Sequence, residues 1–230
     1  MKNEGVEKTI KILYDSRTLN EGLYPDWGLS IYIENGEEKI LFDVGQDKNI
    51  LTQNMEQLGI DKKDINLIVI SHRHWDHFGG LSAFEDQDIK IYVIDSLVDR
   101  IDKKFDLVGE IIPVKDRTEI TEGVYSTGEL GRAVKEQSLL VEGDDGIYVL
   151  TGCGHPGVGK IIKEASKVGK VKGLIGGYHG FDDLKLIAEL YRSKNIPLLV
   201  PCHCTVLAKK IEDRYPESYR KCGAGFTVKI

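Results

Sequence analysis

The sequence predicts an α/β fold of the α+β kind, with two packed sheets flanked by helices. Three observations lead there. Short runs with strand character recur along the first two thirds of the chain, interleaved with segments of helical spacing. From Gly159 onward helices and strands alternate. No linker, internal repeat or low-complexity stretch interrupts the pattern. At 230 residues the chain fits a single domain over 1–230, long enough to bury a core without staples.

The elements follow in order. Lys8 to Tyr14 alternates as a strand does, and Leu29 to Ile33 and Lys39 to Phe42 read as two more, joined by a turn at Asn35-Gly36. Asn49 to Leu58 has apolar residues at helical spacing, and Ile65 to Ile70 is a continuous apolar run, the mark of a buried strand. Phe78 to Phe84 starts a helix, Ile89 to Ile94 is a strand and Leu97 to Phe105 is helical. Short strands fill Glu110 to Val149, with Ser138 to Val141 and Ile147 to Leu150 pairing around Gly143-Asp144-Asp145-Gly146. Then come a helix at Gly159 to Val168, a strand at Val171 to Ile175, a helix at Leu184 to Ser193, a strand at Ile196 to Val200, a helix at Val206 to Arg214 and an edge strand at Phe226 to Ile230.

Composition narrows the function classes. A net charge of -6 without a basic block argues against nucleic acid as a partner. No apolar run approaches the ~20 residues that span a bilayer, and Met1 to Glu7 carries no apolar signal segment. The expected location is the cytoplasm, the expected partner a small-molecule substrate, and a homodimer is the base-rate assembly. Cys153, Cys202, Cys204 and Cys222 lack zinc-finger spacing. In a reducing compartment no disulfide is expected, and Cys204 and Cys222 read as free buried thiols.

The chemistry is concentrated in Ser71-His72-Arg73-His74-Trp75-Asp76-His77, directly after a buried strand. Residues two apart in extended backbone face the same side, so His72 and His74 can hold one metal ion. Asp76 and His77 follow around the turn and can hold a second. Imidazole with carboxylate suits zinc, iron or manganese. Two such ions, zinc with manganese or iron as alternatives, would share an activated hydroxide. The remaining histidines, His155, His179 and His203, each follow an apolar strand, where a site on a sheet edge would gather residues.

This His-x-His-x-Asp-His stretch, followed by Gly79-Gly80, resembles the metallo-β-lactamase superfamily. Leu41-Phe42-Asp43-Val44-Gly45 is similar to that family's early Asp-x-Gly turn. The resemblance implies a four-layer αββα sandwich with the metals at one sheet edge, and it gives Asp43 a supporting role behind the metal loop. It also implies that His203, in Pro201-Cys202-His203-Cys204-Thr205, is the last metal histidine. Many members carry Thr-Gly-Asp with a bridging aspartate where this chain has Thr151-Gly152-Cys153. The histidine those members place upstream is missing, the matching region reading Lys135-Glu136-Gln137-Ser138. His155 is expected to replace it. Cys153 is either a ligand or a small buried thiol. His179, in Gly176-Gly177-Tyr178-His179-Gly180, is expected to bind substrate or move a proton rather than ligate, the alternative being a surface-loop histidine. Asp76 would orient the nucleophile as well as bind metal.

A narrower resemblance joins Thr-Gly-Cys-Gly-His-Pro-Gly, Gly-Gly-Tyr-His and Cys-His-Cys-Thr to the branch of metal-dependent hydrolases around 7,8-dihydropterin-6-methyl-4-(β-D-ribofuranosyl)-aminobenzene 5′-phosphate synthase. It implies a phosphorylated substrate, with Tyr178, Arg132, Lys135 or Lys160 as its contacts, against which stands ordinary solvated surface charge. The expected function is metal-dependent hydrolysis. A pterin-type transferase and a non-catalytic or redox metal-binding module are the alternatives.

Overall fold

A computed structural model of the chain describes residues 8–179 and 196–230. The helix expected at Leu184 to Ser193 lies outside the described residues. The strands are β1 (Lys8–Tyr14), β2 (Ser30–Asn35), β3 (Glu38–Phe42), β4 (Leu67–Ile70), β5 (Lys90–Ile94), β6 (Ile111–Val114), β7 (Thr118–Thr121), β8 (Val124–Ser126), β9 (Leu139–Gly143), β10 (Gly146–Thr151), β11 (Val171–Gly177), β12 (Leu198–Cys202) and β13 (Thr227–Lys229). The helices are α1 (Lys48–Gln57), α2 (Trp75–Phe78), α3 (Val98–Asp102), α4 (Val158–Ala165) and α5 (Ala208–Arg214).

The strands form two mixed sheets, ordered β13-β1-β2-β3-β4-β5-β6 and β12-β11-β10-β9-β8-β7. In the first, β3, β4, β5 and β6 run parallel. In the second, β10, β11 and β12 do. Their apolar residues sort into three cores. Ile31, Phe42, Leu67 and Val69 meet Leu139, Leu150, Ile175 and Val200 between the sheets. Ile68 and Ile70 join Leu51, Met55 and Phe78 on the outer face of the first sheet. Leu174 and Val149 join Ile161, Ala165 and Ile211 outside the second. Successive residues of β4 thus enter different cores, which explains why Leu67–Ile70 is apolar without alternation. The arrangement is the helix–sheet–sheet–helix sandwich expected.

Local differences have local causes. Asn35 still pairs with Glu38 across the β2–β3 ladder, so the turn falls on Gly36-Glu37, one residue later than expected. The helix expected from Phe78 begins instead at Trp75, with Asp76 in its first turn, where a carboxylate is favoured. It tightens into a 3-10 turn over Gly79–Ala83. The expectation of a free Cys222 is corrected. Cys222 is joined to Cys202 in a disulfide, their Cα atoms 5.1 Å apart, because the fold lays the segment before β13 against the end of β12. Cys153 and Cys204 carry free thiols. Among the described residues no helix is long and apolar enough to cross a membrane.

Candidate metal centre

Parallel strands deliver their C-terminal ends to one edge, and both sheets use that edge. Asp43 follows β3 and Ser71-His72 follows β4. Cys153 and His155 follow β10, His179 follows β11 and His203 follows β12. The two sheets touch here: Gln137 N–H donates to Ser71 O at 2.9 Å. A Cβ on Gly152 would lie 2.2 Å from Ser71 Oγ and 3.1 Å from His72 Nδ1, so only glycine permits this approach.

Three imidazoles form a first triad. His72 Nε2 lies 3.0 Å from His74 Nδ1, and His155 Nε2 lies 3.2 Å from the same atom. Ser71 Oγ donates to Asp43 Oδ2 at 2.7 Å, so it accepts from His72 Nδ1 at 2.8 Å. That leaves a lone pair on His72 Nε2 facing the triad. Burial and the neighbouring imidazoles push His72 well below its usual pKa, lower His74, and take His155 down to about 3. All three are shifted toward the neutral imidazole, the state a ligand needs.

A second triad adjoins it. His77 Nε2 lies 3.8 Å from Asp76 Oδ2, and His203 Nε2 lies 3.1 Å from that oxygen. Burial works against charge on His77, but the Asp43 carboxylate overrides it and holds His77 up at about 9. Burial likewise resists ionisation of Asp76, yet His203 and His77 draw it down to about 2. Cys153 Sγ stands 3.2 Å from His77 Nε2, so it faces this triad.

The supports are buried carboxylates. Asp43 accepts from Ser71 N–H, Ser71 Oγ–H and His77 Nδ1–H, each at 2.7 Å. Glu136 accepts the successive N–H groups of Gly152, Cys153, Gly154 and His155 at 3.1, 3.2, 2.9 and 3.0 Å. Burial lifts Glu136 to about 7, against those N–H groups, which pull the other way. Asp15 accepts from His203 N–H at 2.6 Å. Among the described residues the non-glycine positions with positive φ are Asp43 (60°), His179 (43°) and His203 (46°), all at this edge. Such backbone persists only where surrounding contacts hold it.

Glu136 and Asp15 escaped the sequence reading. Glu136 appeared there as part of a stretch that lacks a histidine, with no role of its own. The available signal was a carboxylate shortly before a buried strand, with a glycine-rich turn elsewhere whose N–H groups need an acceptor. The expected substrate contacts are placed unevenly. Tyr178 is buried, and its hydroxyl donates to Leu174 O at 2.5 Å. Lys135 is paired with Glu129 at 2.6 Å and is absent from the lining of the nearby cavity. Arg132 and Lys160 do line that cavity, ≈ 470 Å³, together with His155 and Pro156. A larger cavity of ≈ 900 Å³ beside α1 contains none of these donors. His179 has its ring centroid 4.6 Å from that of His155, and its hydrogen bond with Cys204 raises its pKa. The exposed Trp27 ring packs 4.6 Å from that of His203.

The donors fit divalent transition metals. Ligand bonds of about 2.0–2.1 Å place neighbouring nitrogens of a tetrahedral ion about 3.3 Å apart, close to the 3.0 and 3.2 Å of the first triad. In the second, His203 Nδ1 and Nε2 are buried without a hydrogen-bond partner. Nε2 has Asp76 Oδ2 3.1 Å away as an ion-pair neighbour. Buried nitrogens left in this way are what a missing ligand bond looks like.

A sequence model of the metallo-beta-lactamase superfamily matches residues 24–167. An uncharacterised protein of Methanocaldococcus jannaschii is 28% identical over an alignment of 235 positions, gaps included, covering 85% of this chain and 90% of its own. The 7,8-dihydropterin-6-methyl-4-(beta-D-ribofuranosyl)-aminobenzene-5'-phosphate synthase of the same organism is 24% identical over an alignment of 293 positions, gaps included, covering all of both chains. Among solved structures, Tm1679, a metal-dependent hydrolase of the beta-lactamase superfamily, superposes with a TM-score of 0.80 at 23% identity, covering 97% of this chain and 99% of its own.

Proposed function

The chain belongs to the metallo-beta-lactamase superfamily, and from that premise we propose that it is a metal-dependent hydrolase of a small phosphorylated molecule. The observation that carries the reading is the pair of adjoining donor triads, His72, His74 and His155 beside Asp76, His77 and His203. Two divalent ions bound there, zinc first by its affinity for imidazole, would acidify a water and stabilise a developing oxyanion. The protein's own part is positional. Asp43 fixes the His77 tautomer and, through Ser71, that of His72. Asp76, ionised at any physiological pH, both ligates and orients the attacking water. Cys153 offers a thiolate to the second triad where an aspartate is usual. His179, beside His155 on the open side, carries the proton to the leaving group. Arg132 and Lys160 bind the phosphate in the cavity that reaches His155.

The test is a metal-free chain reloaded with zinc, manganese or iron and assayed on phosphomonoester, phosphodiester and lactone probes. Metal-dependent turnover of a phosphate ester is expected. Arg132→Ala should raise its KM about tenfold, the loss of one charge-assisted contact. Activity that survives removal of all metal would exclude the reading. A blank panel with two ions bound would instead make the chain a metal-binding module.

The full-length likeness to the pterin phosphate synthase favours one second reading, group transfer from a dihydropterin pyrophosphate to a ribofuranosyl aminobenzene phosphate. Incubating the metal-loaded chain with both and looking for the adduct by mass spectrometry tests it. No adduct, with hydrolysis present, leaves the first reading alone.

A further inference from the structure

One cluster lies at the rim of the two triads. Cys153, His179 and Cys204 come from the ends of the adjacent strands β10, β11 and β12, and their donor atoms all lie within 4.8 Å of one another. The strand between the two thiols makes room for them. A Cβ on Gly177, at the end of β11, would sit 2.7 Å from Cys204 Sγ and 2.9 Å from Cys153 Cα. Any larger residue there would force the thiols apart.

We propose that Cys153, Cys204 and His179 form a further, soft-metal site that shares the Cys153 sulfur with the histidine centre. Two thiols and an imidazole are a donor set that zinc accepts with its fourth position open, and thiolates also select copper(I). Cys153 is buried, whereas Cys204 and His179 are half-buried, which leaves one open side for an ion to enter. Cys153 Sγ faces His77 Nε2 at 3.2 Å on its other flank, so one sulfur can serve both centres. Neither triad needs Cys204. The inference rests on the proposed hydrolytic reading only through that shared sulfur. Its consequence for that reading is specific: an ion held by His179 removes the proton carrier, so a thiophilic metal in excess inhibits.

Titration of the metal-free chain with cobalt(II) tests the site. It is done under argon without added thiol, so that the Cys202–Cys222 disulfide stays closed, and is followed by thiolate-to-cobalt charge-transfer absorption and by bound cobalt per chain. Cys204→Ala is expected to bind about one ion fewer than the parent and to lose about half of the charge-transfer intensity. His179→Ala is expected to lose the same ion with both thiols intact, and it decides the matter if the cysteine variant does not fold. Parental stoichiometry in either folded variant overturns the proposal. His74→Ala keeps the two failures apart. It should lose an ion from the histidine centre and keep the charge-transfer band, whereas no loss of cobalt in that variant counts against the hydrolytic reading and not against the cysteine site.

Discussion

The two sheets contribute to the centre in opposite ways. The first supplies a contiguous loop, His72 to His77, and secures it through side chains: Asp43 bonds Ser71 and His77 directly and steadies His72 through Ser71. The second supplies single residues from the ends of three strands and secures the β10 loop through backbone, with Glu136 collecting the N–H groups of residues 152 to 155. The difference separates two jobs. Asp43 sets the protonation and rotation of ligands, whereas Glu136 only sets where a loop lies. A donor in the first sheet is therefore tuned, and a donor in the second is merely placed.

The strongest way to break this comparison is Asp43→Ala. It leaves His77, buried and held charged by that carboxylate, without its partner. Removing one member of a buried ion pair costs about 3–5 kcal/mol, so the metal-free protein should lose that much in urea unfolding, and both ions should bind poorly. A loss below about 1 kcal/mol with both ions retained would mean that Asp43 is no anchor. Glu136→Gln is the gentler counterpart. It keeps Oε1-type acceptance for three of the four N–H groups and turns an amide toward the fourth, His155 N–H. About 1–3 kcal/mol of stability should go. The ion of the first triad should weaken about 10–100-fold, as when a ligand's support is removed, with little effect at His203. Equal weakening of both ions, measured by competition with a chelator, would show that Glu136 tunes as well as places.

The same contrast explains what could be read from sequence. The first sheet's half was legible because its donors are adjacent: alternation in extended backbone fixes which of them share a side, and the run Leu67–Ile70 marks the strand that presents them. The sandwich was legible too, since residues 67 to 70 being apolar throughout requires cover on both faces. The second sheet's half depends on which strand ends lie side by side. Sequence shows that His155, His179 and His203 each end a strand. It does not show that β10, β11 and β12 are neighbours, and so it could not find Glu136, Asp15 or the Cys153–Cys204 approach. The direction of Tyr178 was hidden for a related reason. After a strand, one residue can point to the cavity and the previous one to the core, and Tyr178 takes the core side against Leu174.

Proton competition is the subtlest way to sharpen the comparison. In the metal-free protein burial opposes charge on His77 but Asp43 keeps it up at about 9, above its ordinary 6.5. Its contribution to stability is therefore complete below pH 6.5 and is lost as pH rises through about 9. An ion entering the second triad must displace that proton. Its apparent affinity should fall at least about tenfold for each pH unit below about 9, and about a hundredfold where the Cys153 thiol gives up its proton to the same ion. The first triad behaves differently. His72 and His74 are lowered and His155 sits at about 3, so protons do not compete there until the solution is distinctly acidic. Dialysis at one fixed free zinc concentration, stepped down from pH 9, should release the ion of the second triad well before that of the first. His155→Ala should remove the acid-resistant ion and leave the pH-sensitive one. Simultaneous release would mean that the two triads share their protons, and that the tuning assigned to Asp43 reaches across the whole centre.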